Sequence, residues 1–309
     1  MKKKEHILLL GGTGFIGEHI LQLLIERDTK ISCLVHKRPI PSILMQYKDK
    51  IRIINGSITD LPWEILQSDP PDIIFHLARI SGKRTIGRAI ASRRSFKANL
   101  ELIKWIKKIN FKGKLIYISG SLSYGTNKEL ITEDTALNPT SFSKQYFHGE
   151  KPIYRALNDN KELSIIICKP CWVYGEGSWF ESFFLKPMKS RHIVPLYGEG
   201  RNWMSLIHVQ DCASMICWLA KKVSRGTYNL FIGKSIRQKD LAEMLSEISG
   251  FPIKKETNRN IRVKHGKAVK EAFNFSAKVG TLHNSLYQMY HPLYPNLKDG
   301  LEKILSNYD

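Results

Sequence analysis

The feature that most constrains this chain is a glycine-rich turn between a short apolar run and an amphipathic stretch. The run His6–Leu10 predicts a buried parallel strand, and residues 15–27 carry apolar side chains at helical spacing. Between them, Gly11 permits a tight turn, Gly14 lets the backbone approach a pyrophosphate, and Gly17 lets the helix pack closely. Free amides and the positive dipole end at the helix start favour an anion. We therefore predict a dinucleotide site formed by Gly11, Thr13, Gly14, Phe15, Ile16 and Gly17.

Further apolar runs alternate with helical patterns along the first half of the chain. The predicted strands cover residues 31–35, 51–54, 72–76, 114–119 and 164–168. This alternation predicts an α/β fold with a doubly wound parallel sheet. We expect residues 1–170 to form this dinucleotide-binding Rossmann domain.

The second half of the chain has a looser pattern. Glycines, aromatics and prolines dominate residues 174–200. After them we predict a helix over 207–222, a strand over 227–231 and a helix over 238–249, with Gly250 as its C-cap. Residues 171–309 are expected to form mainly a smaller, substrate-binding lobe, with 206–232 returning to the Rossmann sheet.

The end of the predicted second strand bears on the choice of nucleotide. Sites specific for NAD place an Asp or Glu there, which hydrogen-bonds the ribose 2′-hydroxyl. This chain instead has His36, Lys37 and Arg38, with no acid. A basic cluster attracts a 2′-phosphate, so we expect NADP near these residues, with NAD as the alternative. The competing interpretation is that they are merely exposed turn residues.

Several further segments make the chain similar to the extended short-chain dehydrogenase/reductases, also called NAD-dependent epimerase/dehydratases. The matching segments are Gly11–Gly17, His76-Leu77-Ala78 with Arg79 in place of a second Ala, Asn99, residues 119–125, Lys169-Pro170, residues 173–175, residues 198–211 and residues 226–230. The resemblance covers nearly the whole length. It implies a nicotinamide nucleotide contacted also by Leu77, Ala78, Arg79, Asn99 and Pro170.

The chemistry of that family needs a tyrosine with a lysine four residues later, and an upstream Ser or Thr. The lysine lowers the pKa of the phenol, which then acts as acid or base near neutral pH. Aligned on Glu150, the two positions fall on Phe142 and Tyr146. Aligned on Pro139, they fall on Ser143 and Phe147, and aligned on Lys144, the tyrosine position becomes Thr140. The Ser/Thr position counted back from Tyr124 is Gly120. None of the alignments restores a tyrosine with a lysine four residues later. The candidate proton donors that remain are Tyr146, Lys144, Tyr124, His148 and Ser121.

The substrate side also departs from the resemblance. The arginine that commonly grips a substrate diphosphate falls on Met204, although Arg201 is close in sequence. Arg79, Lys83 and Arg84 follow a strand end, where loops face the ligand crevice of a parallel sheet. We therefore expect a small sugar-like or anionic carbonyl or alcohol substrate, used by an oxidoreductase or epimerase/dehydratase. The alternative is an inactive nucleotide-binding sensor or partner protein.

Charge and cysteine content limit the other classes. The net charge is +20, and residues 79–114 hold twelve Lys/Arg and one acid, Glu101. RNA binding is a third hypothesis, weakened because few aromatic residues interleave with these cations. The five cysteines do not suggest a disulfide framework, and Cys168 and Cys171, although spaced CxxC, are expected to be structural thiols rather than a redox or metal site.

The location and assembly of the protein follow from weaker signals. No apolar segment is long enough to cross a bilayer. The apolar run at residues 7–10 is too short for a signal peptide, so we expect a cytoplasmic protein. The resemblance implies a homodimer that pairs the helices after the fourth and fifth strands. The lysines of residues 104–108 count against that pairing.

Overall fold

The computed structural model describes residues 4–82 and 84–307, except for the side chains of Arg84, Thr85 and Phe142. Its strands are β1 His6–Leu10, β2 Lys30–Val35, β3 Ile51–Asn55, β4 Ile73–His76, β5 Lys114–Ile118, β6 Leu130–Ile131, β7 Ser164–Pro170, β8 Trp172–Tyr174, β9 Val194–Tyr197, β10 Trp203–Met204, β11 Leu206–His208, β12 Gly226–Leu230, β13 Ile236–Arg237, β14 Ile253–Glu256 and β15 Lys278–Val279.

The α-helices are α1 Phe15–Ile25, α2 Trp63–Ser68, α3 Arg84–Lys108, α4 Ser141–Asp159, α5 Lys186–Arg191, α6 Val209–Lys222, α7 Gln238–Ser249, α8 Asn258–Phe273, α9 Asn284–Tyr287 and α10 Leu297–Ser306. Two 3₁₀ segments, Ser42–Lys50 and Ser121–Tyr124, and one π-helical turn, Glu181–Leu185, complete the regular structure.

A seven-stranded sheet has the order β12-β7-β5-β4-β1-β2-β3. The strand pairs from β3 to β7 are parallel, with Leu10 opposite His76 in the β1–β4 pair. The chain builds outward from β1 in one direction and then from β4 in the other. The predicted doubly wound α/β fold is therefore confirmed. In such sheets the ligand crevice lies outside the carboxyl ends of the strands at this change of direction, here β1 and β4.

The chain divides into two compact units. The first comprises residues 1–119, 144–168 and 213–228, and the second comprises 120–143, 169–212 and 229–309. One change of unit falls between residues 168 and 169. Residues 120–143, however, fall in the second unit because β6 pairs with β15 far along the chain. Of the segment expected to return to the sheet, residues 206–212 also belong to the second unit.

Each unit has its own apolar core. In the first, β1, β4, β5 and β7 pack against α3 and α4 through side chains such as Ile74, Trp105 and Ile153. In the second, Phe180, Phe184 and the α7 residue Leu245 lie in an aromatic-rich cluster. The continuous apolar sequence of the central strands follows from this burial on both faces.

Two local predictions can be compared directly with the elements. The helix expected over 207–222 begins only at Val209, because Ile207 and His208 pair with β8 as strand residues. That part of the prediction was wrong. Gly250 is the left-handed C-cap of α7, as predicted, with φ 71°. Within residues 4–82 and 84–307, no helix is both long and apolar enough to span a membrane.

Candidate functional site

The glycine-rich turn joins the carboxyl ends of β1 and β4. Gly11 has φ +95°, and a Cβ added to it would lie 2.6 Å from the amide nitrogen of Ala78. The amides of Leu77 and Ala78 both donate to the carbonyl oxygen of Leu10 at 2.8 Å. The turn and the segment after β4 therefore pass so closely that only glycine fits at position 11.

Helix α1 begins with unsatisfied amides. Gly14 is its N-cap and supplies no side-chain hydrogen bond. The amides at the first positions, Phe15, Ile16 and Gly17, have no intrahelical acceptor because of the helix geometry. A Cβ on Gly17 would lie 2.1 Å from the carbonyl oxygen of Gly11, so the helix start is pressed against the turn. Thr13 is buried between them. This arrangement presents N–H groups and the positive dipole end to an anion.

A basic side chain borders the same turn. His36, Lys37 and Arg38 are exposed after β2. The guanidinium of Arg38 donates from Nη1 to the carbonyl oxygen of Thr13 at 3.4 Å. Burial raises the pKa of the Glu18 carboxyl in the first turn of α1, and the charge of Arg38 acts in the opposite direction. Arg38 is thus the member of the basic trio that reaches the turn.

Asn99 is the centre of a buried polar network in the first unit. Its Oδ1 lies 2.9 Å from Nε2 of His76, and its Nδ2 donates to the carbonyl oxygen of Gly149 at 2.8 Å and to the Tyr117 hydroxyl at 3.4 Å. Burial lowers the pKa of His76 to about 4. Asn99 therefore ties β4, β5 and α4 together, while its contact with a cofactor stays a prediction.

The three positions aligned with the family's Ser, Tyr and Lys carry other residues. Gly120 precedes the 3₁₀ turn, and a Cβ added there would have no heavy atom within 4 Å. The side chain of Phe142 lies outside the described residues. Tyr146, on α4, is half-buried, and the guanidinium carbon of Arg79 lies 3.3 Å from its ring centroid. Tyr146 itself occupies the position where the resemblance places the lysine, and the Arg79 cation over its ring comes from the segment after β4.

The other catalytic candidates lie in different surroundings. The Tyr124 hydroxyl donates to Oδ1 of Asn229 at 2.9 Å, and Nζ of Lys169 lies 3.8 Å from the Tyr124 ring centroid. Burial raises the pKa of the Tyr124 phenol, which makes it a poor proton donor at neutral pH. Ser121 is buried in the same unit.

The predicted residues Pro170, Lys144 and His148 lie on β7 and α4. Pro170 is the last residue of β7 and is buried. Lys144 is exposed on α4. His148 is exposed on α4 and stacks on Phe96, with ring centroids 5.2 Å apart. Lys83 and the side chain of Arg84 lie outside the described residues.

One group near the site was missed by the sequence reasoning. Ser119, directly after β5, donates to Oε2 of Glu150 at 2.6 Å and lies 3.1 Å from the Tyr154 hydroxyl. The spacing of Glu150 and Tyr154, one helical turn apart, was the available signal. This spacing indicates a contact with Ser119 only when the packing of β5 against α4 is known.

The arrangement of the cysteines and acidic groups in the described part of the chain bears on whether it could hold a metal ion. All five cysteines are buried. Burial raises the pKa of the Cys171 thiol to about 12, with a hydrogen bond to Ser121 acting in the opposite direction. Among residues 4–82 and 84–307, no group of three or more His, Cys, Asp or Glu side chains is arranged to hold a metal ion.

Fold and turn together define a doubly wound α/β protein with a glycine-rich turn before its first helix. The chain belongs to the NAD dependent epimerase/dehydratase family, whose profile matches residues 7–230.

Individual relatives are distant. The dTDP-D-glucose 4,6-dehydratase of Dictyostelium discoideum is 22% identical over 271 residues, covering 79% of this chain and 62% of that protein. The D-erythronate dehydrogenase of Cupriavidus necator is 26% identical over 157 residues, covering 47% and 48%. This chain thus spans about half to three-fifths of the length of these curated relatives. A crystal structure of dTDP-glucose 4,6-dehydratase from Bacillus anthracis in complex with NAD superposes with a TM-score of 0.77 at 19% identity, covering 98% of this chain and 96% of that one.

Proposed function

We propose that this protein binds NADP(H) and transfers hydride between the nicotinamide and a carbonyl or alcohol carbon of a sugar-like substrate. The observation that carries the proposal is the start of α1, where the first three amides have no intrahelical acceptor and follow a glycine-rich turn from the carboxyl end of β1. The names of the relatives support the substrate class, since one acts on dTDP-D-glucose and another on D-erythronate.

The preference for NADP rests on Arg38. Its guanidinium reaches the Thr13 carbonyl, and no acid follows β2 to hydrogen-bond a ribose 2′-hydroxyl. A 2′-phosphate would meet a cation there instead of a carboxylate. The solved structure from Bacillus anthracis is a complex with NAD, so the nucleotide experiment must distinguish NAD from NADP.

Tyr146 is the proton donor in this proposal. NADPH, when bound, would supply the hydride for the carbonyl carbon. The Tyr146 phenol would give its proton to the carbonyl oxygen, and the phenolate left behind would lie beside the Arg79 cation. Oxidation of the alcohol reverses both transfers. Arg79 therefore occupies the electrostatic role that a lysine four residues after the tyrosine has in the relatives.

The second candidate function is nucleotide binding without turnover. Gly120 and Phe142 favour it, because two of the three positions that handle the proton in the family carry no polar side chain. It predicts tight NADP(H) binding and no reaction with any substrate.

The experiment is a spectrophotometric screen for NADPH oxidation or NADP⁺ reduction against nucleotide sugars, free sugars and sugar acids. We expect turnover with at least one substrate, and we expect Tyr146→Phe to lose it while binding NADPH normally. Tyr47→Phe is the matched control, since Tyr47 also has a cation over its ring, with Nζ of Lys50 at 5.6 Å. Binding without turnover across the panel would favour the second candidate, and an active Tyr146→Phe would exclude Tyr146 as the donor.

A further inference from the structure

Arg79 is held at the crevice end of β4. It follows Ala78, whose amide is fixed to the Leu10 carbonyl, and its side chain is exposed. Among the described residues, no carboxylate lies within ion-pair distance of its guanidinium. An exposed arginine with a fixed backbone and no acidic partner is suited to bind an anion from solution.

The contact with Tyr146 orients this guanidinium. A guanidinium carbon 3.3 Å from a ring centroid is at stacking distance, and this contact leaves the N–H groups at the edge of the plane available. Those edge groups form the fork that matches a carboxylate or phosphate with two hydrogen bonds. A stacked arginine also loses less side-chain entropy when it binds.

Tyr146 itself is positioned by the packing of α4 on α3. Ser92 Oγ donates to the carbonyl oxygen of Gln145, and Arg88 Nε donates to its side-chain oxygen at 3.2 Å. One turn further, Asn99 donates to the carbonyl oxygen of Gly149. The helix backbone on both sides of Tyr146 is therefore held against α3.

The position where relatives grip a diphosphate provides no such cation. Met204 occupies it and is fully buried in the aromatic-rich core of the second unit. At that position a nucleoside diphosphate group would meet the thioether of Met204 instead of a cation, and this thioether is buried. The cation that this chain has gained, at position 79, lies beside the proposed proton donor instead.

We propose that Arg79, stacked on Tyr146, binds an oxyanion group of the substrate close to the reacting carbon. The substrate is then a small hydroxy or oxo acid or a phosphorylated sugar, rather than a nucleoside diphosphate sugar. This inference rests on the proposed function, because it assigns the substrate class of the same site.

The test compares charged and neutral ligands on the full chain saturated with NADP⁺. Calorimetry would measure D-gluconate against D-glucitol, and glucose 6-phosphate against glucose. We expect at least one charged ligand to bind about tenfold or more tighter than its neutral partner, from charge-assisted hydrogen bonds. The carboxylate and phosphate arms show which oxyanion is preferred.

Variants then assign the effect to Arg79. In protein saturated with NADP⁺, Arg79→Gln should abolish the preference for the charged ligand. The matched control is Arg237→Gln, since Arg237 also lies over an aromatic ring, with its guanidinium carbon 4.5 Å from the Trp203 centroid. That variant should keep the preference.

Three results would overturn the inference. They are no preference for the anion in the wild-type protein, a preference that survives Arg79→Gln, or loss of NADP⁺ binding in Arg79→Gln, which would make Arg79 a cofactor residue. Failure of the proposed function is recognised separately, because the wild-type protein would then not bind NADP⁺ at all.

Discussion

The stability of the first unit should depend on the protonation of His76. Its Nε2 lies 2.9 Å from Oδ1 of Asn99, and its buried Nδ1 has no partner among the described residues. A proton on Nδ1 would place a charge in the core with no acceptor, which is why burial lowers the pKa of His76 to about 4. Unfolding releases the ring to an ordinary pKa of about 6.5.

The sign and size of the effect follow from these two values. Because the pKa is lower in the folded state, the unfolded chain binds the proton first as pH falls. Stability is fully present above about pH 6.5 and is lost as the pH falls toward about 4. A pH of about 5 lies roughly 1.5 units below the pKa of the unfolded state. At that pH the free energy of unfolding has fallen by about 2 kcal/mol.

Urea unfolding followed by circular dichroism at about pH 8 and about pH 5 measures this effect. The difference in unfolding free energy between wild-type protein and His76→Gln should shrink by about 2 kcal/mol between the two pH values, since the variant does not titrate there. His148→Gln is the control, because His148 is exposed on α4. A difference for His76→Gln that stays constant with pH would refute the buried, neutral imidazole.

Three further predictions concern the cofactor site and assembly. Gly17→Val should weaken NADPH binding by about a hundredfold, because a Cβ would lie 2.1 Å from the Gly11 carbonyl oxygen; fluorescence titration measures it, and unchanged binding contradicts the turn geometry. Arg38→Ser should reduce affinity for NADPH about tenfold and leave NADH unaffected, as calorimetry would show; equal losses would remove the NADP assignment. If a homodimer forms through α3, where Arg93, Arg94 and Lys97 are exposed, sedimentation should show it strengthening from about 0.05 to 0.5 M salt, whereas weakening would place the contact elsewhere.

The sequence predicted best what local pattern determines. The strand His6–Leu10, the start of α1 and the C-cap Gly250 were all read from short segments, because apolar runs and glycines act within a few residues. The same local logic produced the error at residues 207 and 208. Their apolar character continues the pattern of α6, and only pairing with β8 makes them a strand.

Long-range contacts were beyond the sequence pattern. Arg79 and Tyr146 are 67 residues apart, and nothing in either segment shows that their side chains stack. Residues 120–143 follow a strand of the first unit, yet β6 pairs with a strand near the C-terminus. The absence of the tyrosine–lysine pair could be read from the sequence, whereas the contact between Arg79 and Tyr146 required the fold.

The central claim is that amides at the start of α1 grip a dinucleotide pyrophosphate. Calorimetry of NADPH with the wild-type protein and with Gly14→Asp tests it most directly, since an aspartate is a favourable N-cap that preserves the helix but puts a negative charge where the pyrophosphate must lie. We expect a Kd for NADPH well below about 1 mM with the wild-type protein and no binding with the variant. Equal binding by both proteins, or no binding of NADPH or NADH by the wild-type protein, would contradict it.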